Sequence, residues 1–272
     1  MKKINRSTPM KNNYSQKKYT IALLAMLLLC CCVSLGAQNK KMNLLDTPRK
    51  IALQNDVSHL KIYSGIIVNL IPSDTNRMEI YGDRYGGIVA THKGNTLKIR
   101  MRLTELFHYN NAYIDLYYKA PIHSIKMHQG AVVEATRPLK NEKIVLKAHE
   151  GAQFSGTIQA EYLISKSRTG GMLQLQGKVK EHRLYVSAGG SCEAEDLITH
   201  STQVRVFAGG YARIYSENNI DANVVMGGNI GIKGNPTTIS ARRTIAGEIY
   251  DANAFDHQHF YRNRSRGYRA YN

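Results

Sequence analysis

From Val57 onward, apolar residues recur two apart with polar residues between them, which is the period of a β-strand. From about His123 to Tyr250 this alternation is broken by a recurring glycine-centred corner. The copies read HQGA (128–131), HEGA (149–152), TGGM (169–172), AGGS (188–191), AGGY (208–211), MGGN (226–229) and AGEI (246–249). Their first glycines are Gly130, Gly151, Gly170, Gly189, Gly209, Gly227 and Gly247, spaced by 21, 19, 19, 20, 18 and 20 residues. A period near 20 over seven copies marks a repeat architecture.

Aligned on that glycine, like positions form columns. The next residue is small in all but the last copy: Ala131, Ala152, Gly171, Gly190, Gly210, Gly228 and then Glu248. Three positions on lies a mostly apolar column of Val133, Phe154, Leu173, Cys192, Ala212, Ile230 and Tyr250. Five positions on lies another, from Ala135 and Gly156 to Ile214 and Ile232. Before the corner the same alternation gives Ile125/Met127, Leu146/Ala148, Leu184/Val186, Val204/Val206 and Ala222/Val224. Each copy is therefore strand, tight corner, strand, loop. One such unit cannot bury its apolar edge alone, and stacked units build a continuous core.

The pattern predicts an all-β chain: a single-stranded parallel β-helix or solenoid, pectin-lyase-like, with about seven coils of roughly 20 residues. The competing arrangement is a β-sandwich with turns every 8–12 residues or so. The solenoid is preferred because the columns stay in phase. Ahead of it, residues 57–120 hold further strand candidates, including VSHLKIYSGIIVNLI, RMEIYG, NTLKIRMRL and AYIDLYYKA. This block is either a small β-domain or the first coils. The segment LTELFHYNN (103–111) interrupts it as a long loop or a short helix. The organisation is thus a leader (1–37), a linker (38–56), the strand block (57–120), the repeats (121–250) and a basic tail or cap (251–272). No amphipathic helix of useful length is evident after the leader.

The leader carries basic residues including Lys17 and Lys18, then the apolar run TIALLAMLLLCCCVSLGA ending at Ala37. That is the layout of a signal peptide, so export is expected, to the periplasm, the outer-membrane surface or outside the cell. No membrane span is expected in the mature chain. Cys30, Cys31 and Cys32 lie in the leader, which leaves Cys192 alone in the mature chain, without a partner for a disulfide. Cys192 falls in the inward column and reads as a small buried hydrophobe.

The repeated small-Gly-small corner, after an N-terminal strand block and an export signal, resembles the putative auto-transporter adhesin family with the head GIN domain. Family corners usually read Ser-Gly-Ala/Ser, whereas here the serine is mostly replaced, as in HQGA and HEGA. The resemblance covers Val57 to Tyr250. It implies a β-helix and an adhesin-like role at cell-surface or extracellular ligands, and it brings no catalytic set with it.

Charge sharpens this picture. The chain has 37 Lys+Arg against 20 Asp+Glu, a net +17. The leader holds six of the basic residues and no acidic one, so the mature chain keeps +11. A basic exported protein meets acidic partners: anionic glycans, lipopolysaccharide phosphates or extracellular DNA. Positions four and two before the corner glycine point outward. They pair Lys126/His128, Lys147/His149, Lys166/Arg168, Tyr185/Ser187 and Arg205/Phe207. The register predicts a cationic ladder of Lys126, His128, Lys147, His149, Lys166, Arg168 and Arg205, which is either a polyanion-binding strip or a solvated face that blocks edge association.

His128 and His149 lack a fixed third ligand, and no metal or other cofactor is expected. The acidic group Glu193, Glu195 and Asp196 keeps a carbohydrate-active lyase or hydrolase open as an alternative, because glycosidases need two placed carboxylates. Tyr211, Arg213 and Met172 also point outward, an arrangement suited to sugar stacking. No phosphate loop, nucleophile elbow or HExxH motif is present, and no specific nucleic acid is expected. The expectation is a non-catalytic exported protein, with self-association through its terminal coils open. A periplasmic structural protein would read the same way.

Overall fold

The computed structural model describes residues 47–83, 86–102, 104 and 113–253. The expected leader, the linker up to 46, most of LTELFHYNN and the tail from 254 lie outside the described residues. The described chain is nearly all strand and forms a β-solenoid of about seven turns. There is no α-helix among the described residues.

The N-terminal strands are β1 (Arg49–Ala52), β2 (His59–Ile62), β3 (Ile67–Pro72), β4 (Arg77–Tyr81), β5 (Ile88–Lys93), β6 (Thr96–Met101) and β7 (Tyr113–Tyr118). The repeats supply β8 (Ser124–Met127), β9 (Val132–Ala135), β10 (Leu139–His149), β11 (Gln153–Arg168), β12 (Met172–Ser187) and β13 (Ser191–Phe207). They end in β14 (Gly210–Tyr215), β15 (Asn219–Val225), β16 (Gly228–Lys233), β17 (Thr238–Arg243) and β18 (Glu248–Asp251).

Two long parallel stacks meet at the corners. Before the corner the order is β6, β2, β8, β10, β11, β12, β13, β15, β17. After it the order is β7, β3, β9, β11, β12, β13, β14, β16, β18. In the middle coils a third side is closed by Leu139, Ile158, Val179 and Leu197, all buried. The columns read from sequence face inward: Ile125, Leu146, Leu184, Val204 and Ala222 are each at most 3% exposed.

The corner is tighter than glycine alone would require. The residue before each glycine is also left-handed: Gln129, Glu150, Thr169, Ala188, Ala208 and Met226 have φ of 49–59°. The following N–H closes the turn onto the residue before the pair, as in Ala131 N to His128 O (3.2 Å) and Gly171 N to Arg168 O (3.0 Å). Two successive positive-φ residues inside one i→i+3 bond have the geometry of a type I′ turn. A β-branched residue is the least suited to that conformation. Thr169→Asn is therefore expected to raise stability by about 0.5–1 kcal/mol, read as a higher midpoint in denaturant.

The last copy departs from the predicted alignment. Asn229 pairs with Glu248 and Ile230 with Ile249, so Ala246 stands level with Gly227. Gly247 stands one place later, with φ 112° and its α-carbon against the Gly228 backbone. The inward residue of that coil is thus Ile249, while Tyr250 lies outside against Gly231. A one-residue shift exchanges the faces of a strand. Here the two glycines of the preceding corner hid the shift.

The N-terminal strands are continuous with the repeats. Strand β2 pairs with β8 and β3 with β9, so Ser64 (φ 63°) and Gly65 (φ 66°) make an eighth corner of the same kind. The chain then leaves the stack and builds β4, β5, β6 and β7. It returns so that β6 and β7 lie on the far side of β2 and β3. This end is covered by antiparallel strands: β5 on β6, β4 on β7 and β1 on β4. Arg49 fastens the cover through Asp83 (2.6 Å) and the Ile88 carbonyl (3.1 Å). At the other end β17 and β18 each pair on one side only among the described residues.

One stretch of the interior is polar. Ser165, Ser167, His182 and Thr202 are at most 1% exposed. His182 Nε2 lies 3.0 Å from Ser165 Oγ. Ser167 Oγ donates to Gly171 O (2.6 Å) and accepts from Ser191 N (3.1 Å). Every partner is protein, so these groups are buried with their hydrogen bonds made.

Candidate functional site

The outward side of the pre-corner stack carries the charge. Strict parallel register places Lys126 beside Lys147 and Lys147 beside Lys166. It adds two residues that the repeat spacing did not reveal: Lys61 pairs with Lys126 and Lys98 with Lys61. The result is a single file of five lysines, Lys98–Lys61–Lys126–Lys147–Lys166, at about 4.8 Å per step. Tyr185 follows Lys166 and separates it from Arg205. Arg205 thus stands apart from the lysine file. No ion pair among the described residues involves any of the five lysines.

The signal for Lys61 was present. Leu60-Lys61-Ile62-Tyr63-Ser64-Gly65 has the pattern of Ile125-Lys126-Met127-His128-Gln129-Gly130. It lay outside the period because β4–β7 are inserted between the two copies.

A second column runs beside the lysines, two residues nearer the corner. Tyr63 stacks on His128 (ring centroids 5.0 Å apart) and His128 on His149 (5.1 Å). Arg168 is level with His149. Its guanidinium reaches the Ser187 hydroxyl at 3.3 Å and lies 5.6 Å from the Tyr185 ring centre. Ser187, expected outward, is thereby covered, with only 4% exposed. His128 thus lies between the rings of Tyr63 and His149. On the other flank, His59 and His123 approach at 5.8 Å, and His59 Nδ1 is 2.8 Å from Ser124 Oγ.

The electrostatics follow from this crowding. The Lys147 ammonium is held below its ordinary pKa by partial burial and by Lys126 and Lys166 on either side. Burial, then His128 and Arg168, lower His149, while Glu150 pulls it the other way. Burial, then His123, Lys126 and Lys61, lower His59. A row of like charges that lowers its own members' pKa values is a row that an anion would stabilise.

The opposite, post-corner side is acidic. Glu134, Glu193, Glu195 and Asp196 line a groove of about 330 Å³. A β-bulge at Gln174/Gln176 turns both Glu195 and Asp196 outward. Glu195 pairs with Arg213 (3.5 Å) and Asp196 with Lys233 (3.9 Å). Arg213 does not offer the open sugar-stacking surface expected of it. It is 8% exposed and packs with Tyr211 and Glu195, and Tyr250 bonds to it. Cys192 is fully buried, and burial pushes its thiol pKa up, as befits a packing residue.

A family model described as putative auto-transporter adhesin, head GIN domain, matches residues 56–236, about two thirds of the sequence. The chain belongs to that family. The match begins in the strand block and runs through the repeats, so it spans both parts of the basic face. Solved structures carry the same fold. A putative adhesin from Bacteroides fragilis superposes with TM-score 0.69 at 18% identity, over 75% of this chain and 95% of its own. A putative adhesin from Parabacteroides merdae gives 0.54 at 18% identity, over 76% and 95%. A putative lipid binding protein from Parabacteroides distasonis gives 0.55 at 17% identity, over 75% and 97%. No curated protein matches the chain. The head GIN resemblance first drawn from the corners thus holds over the strand block and the first six corners, and the match stops at 236, before the last one.

Proposed function

We propose that this protein is an exported, non-catalytic adhesin of the cell surface, and that its basic face engages anionic glycans. The observation that carries the reading is the single file of five lysines without an ion pair among the described residues. Membership of an adhesin family supports a binding role over an enzymatic one. The acidic groove favours an enzyme less, since Glu195 and Asp196 are each held by a cation. Long-range attraction between a fixed row of cations and a polyanion is steep in salt, because it acts across solvent.

The test is charge reversal. Lys126→Glu, Lys147→Glu and Lys166→Glu together are expected to weaken binding to immobilised dextran sulfate by roughly 100-fold or more, at about 1 kcal/mol per lysine. The melting temperature should stay near that of wild type, because all three side chains leave the sheet toward solvent. Undiminished binding by a folded triple variant removes the lysine file from the function.

A further inference from the structure

We propose that the basic face is a proton-tuned site for a linear acidic polysaccharide lying along the solenoid axis, in which His59, His123, His128 and His149 set how tightly the five-lysine file holds it. The inference rests on the anionic-glycan reading and adds to it a regulatory set of residues. No motif in the sequence points to these four as a group. The topology gathers them, by pairing β2 from the strand block with β8 from the repeats.

The geometry sets the four rings against the lysines. His128 and His149 stand in register with Lys126 and Lys147, two residues along the same strands, and stack at 5.1 Å. His59 and His123 flank the file on its other side, their ring centroids 5.8 Å apart. Protonating these rings widens a single row of cations into a band, close to where the polyanion lies. It also places like charges side by side, which is unfavourable without an anion.

The surroundings of each pair are mostly cationic. Around His128 and His149, β6 presents Lys98 and Arg100, β2 presents Lys61 and Tyr63, and β11 presents Lys166 and Arg168. Their own strands carry Lys126 and Lys147, and Glu150 at the corner is the acidic neighbour of His149. Around His59 and His123, β2 and β8 supply Lys61 and Lys126. Beside His123, Glu142 and Lys143 of β10, Tyr162 of β11, and Glu181 and Arg183 of β12 line a depression of about 550 Å³.

In the free protein partial burial, and then the cationic neighbours, lower the pKa of His59 and His149. A bound polyanion opposes this and raises them. By linkage, binding then takes up protons, and affinity rises as pH falls.

A polysaccharide fits this face better than nucleic acid. Single-stranded nucleic acid binds by stacking bases on open aromatic faces. Here Tyr63, His128 and His149 already stack on one another, and the Lys98 ammonium lies 5.2 Å from the Tyr63 ring centre. What the face offers is one ammonium per coil with a stacked imidazole pair beside it, which suits regularly spaced anionic groups on a sugar chain.

The experiment uses the mature chain and dextran sulfate, whose sulfate esters keep their charge throughout the range. Affinity is expected to be about 30-fold tighter near pH 5.5 than near pH 7.5 at fixed ionic strength. Calorimetry in two buffers of different ionisation enthalpy should show net proton uptake on binding, a readout that needs no variant. The variant with His59→Gln, His123→Gln, His128→Gln and His149→Gln should lose the gain, binding about equally tightly near pH 5.5 and near pH 7.5.

Wild-type binding that is equal at both pH values and takes up no protons overturns the inference while leaving the lysine file intact. A quadruple variant that keeps the acid gain overturns the role of the histidines. No binding at either pH in low salt defeats the anionic-glycan reading itself. Oligodeoxynucleotides or anionic phospholipid vesicles outcompeting dextran sulfate at equal charge overturn the polysaccharide assignment.

Discussion

Gly171→Ala is expected to destabilise the protein by about 3 kcal/mol, the upper end of what overpacking a closed core usually costs. Gly171 has no positive φ, so the conflict is one of space. A Cβ there would lie 2.7 Å from the Ala148 carbonyl carbon in the neighbouring coil, and closer still to its oxygen. Neither atom can yield without moving a coil, because Ala148 is locked in the parallel ladder. The comparison that isolates the cause is Gly151→Ala. Gly151 has φ 75°, and a Cβ placed on it would meet nothing within 4 Å. That change costs only the backbone strain of a left-handed residue, about 1 kcal/mol. Chemical denaturation of the two variants should separate by the difference. Equal losses at the two sites would mean that the coils breathe enough to admit a methyl group. The alanines already present at the equivalent level, Ala131 and Ala152, lie in the earlier coils.

The second large effect is acid lability from His182. Its ring is fully buried against Ser165, and desolvation lowers its pKa from 6.5 to about 4. In the unfolded chain the same ring titrates near 6.5. Above about pH 6.5 both states hold a neutral ring, and the stability associated with its burial is fully present. As pH falls from about 6.5 toward 4, the unfolded chain takes up a proton that the folded chain refuses. Stability then declines at close to 1.4 kcal/mol per pH unit, for a total of about 3 kcal/mol. His182→Leu fills the column between Leu163 and Thr202 with an apolar group of similar bulk. It should remove that slope, so the wild-type curve of unfolding free energy against pH steepens below about pH 6.5 relative to the variant. Parallel curves would show that His182 meets water or a proton acceptor in the folded state.

These two effects bear on the proposed site from opposite directions. Acid strengthens the outer histidine band and weakens the coil that holds His182. The binding gain therefore has to be read where the fold is intact: near pH 5.5 the His182 loss is about 1.4 kcal/mol, and it is complete near the folded pKa of about 4.

Much of this molecule is legible in the amino-acid order because a parallel solenoid is nearly one-dimensional. Each coil contacts its neighbours at like positions, so a 20-residue period, an alternation of two and a glycine corner are enough to assign Ile125, Leu146 and Val204 inward and Lys126, Lys147 and Lys166 outward. The burial of Cys192 followed from the same alignment. Where the period was uncertain the reading slipped. In the AGEI copy a single shift put Tyr250 in the core column, when Ile249 occupies it. The covering of Arg213 and Ser187 was not legible either, because neighbours' side chains decide it after the strands are placed.

By itself, the sequence determined the strand alternation, the corners, the stacking direction of the repeats and the last three lysines of the file, Lys126, Lys147 and Lys166. Each of these depends only on spacing along the chain. Tertiary structure alone decided that β2–β3 sits between β6–β7 and β8–β9, that antiparallel strands cover the N-terminal end, and that Lys98, Lys61, His59 and Tyr63 join the basic face. The physical reason is that strand pairing between segments some 65 residues apart is chosen by which exposed edges fit, a long-range competition that leaves no period in the chain.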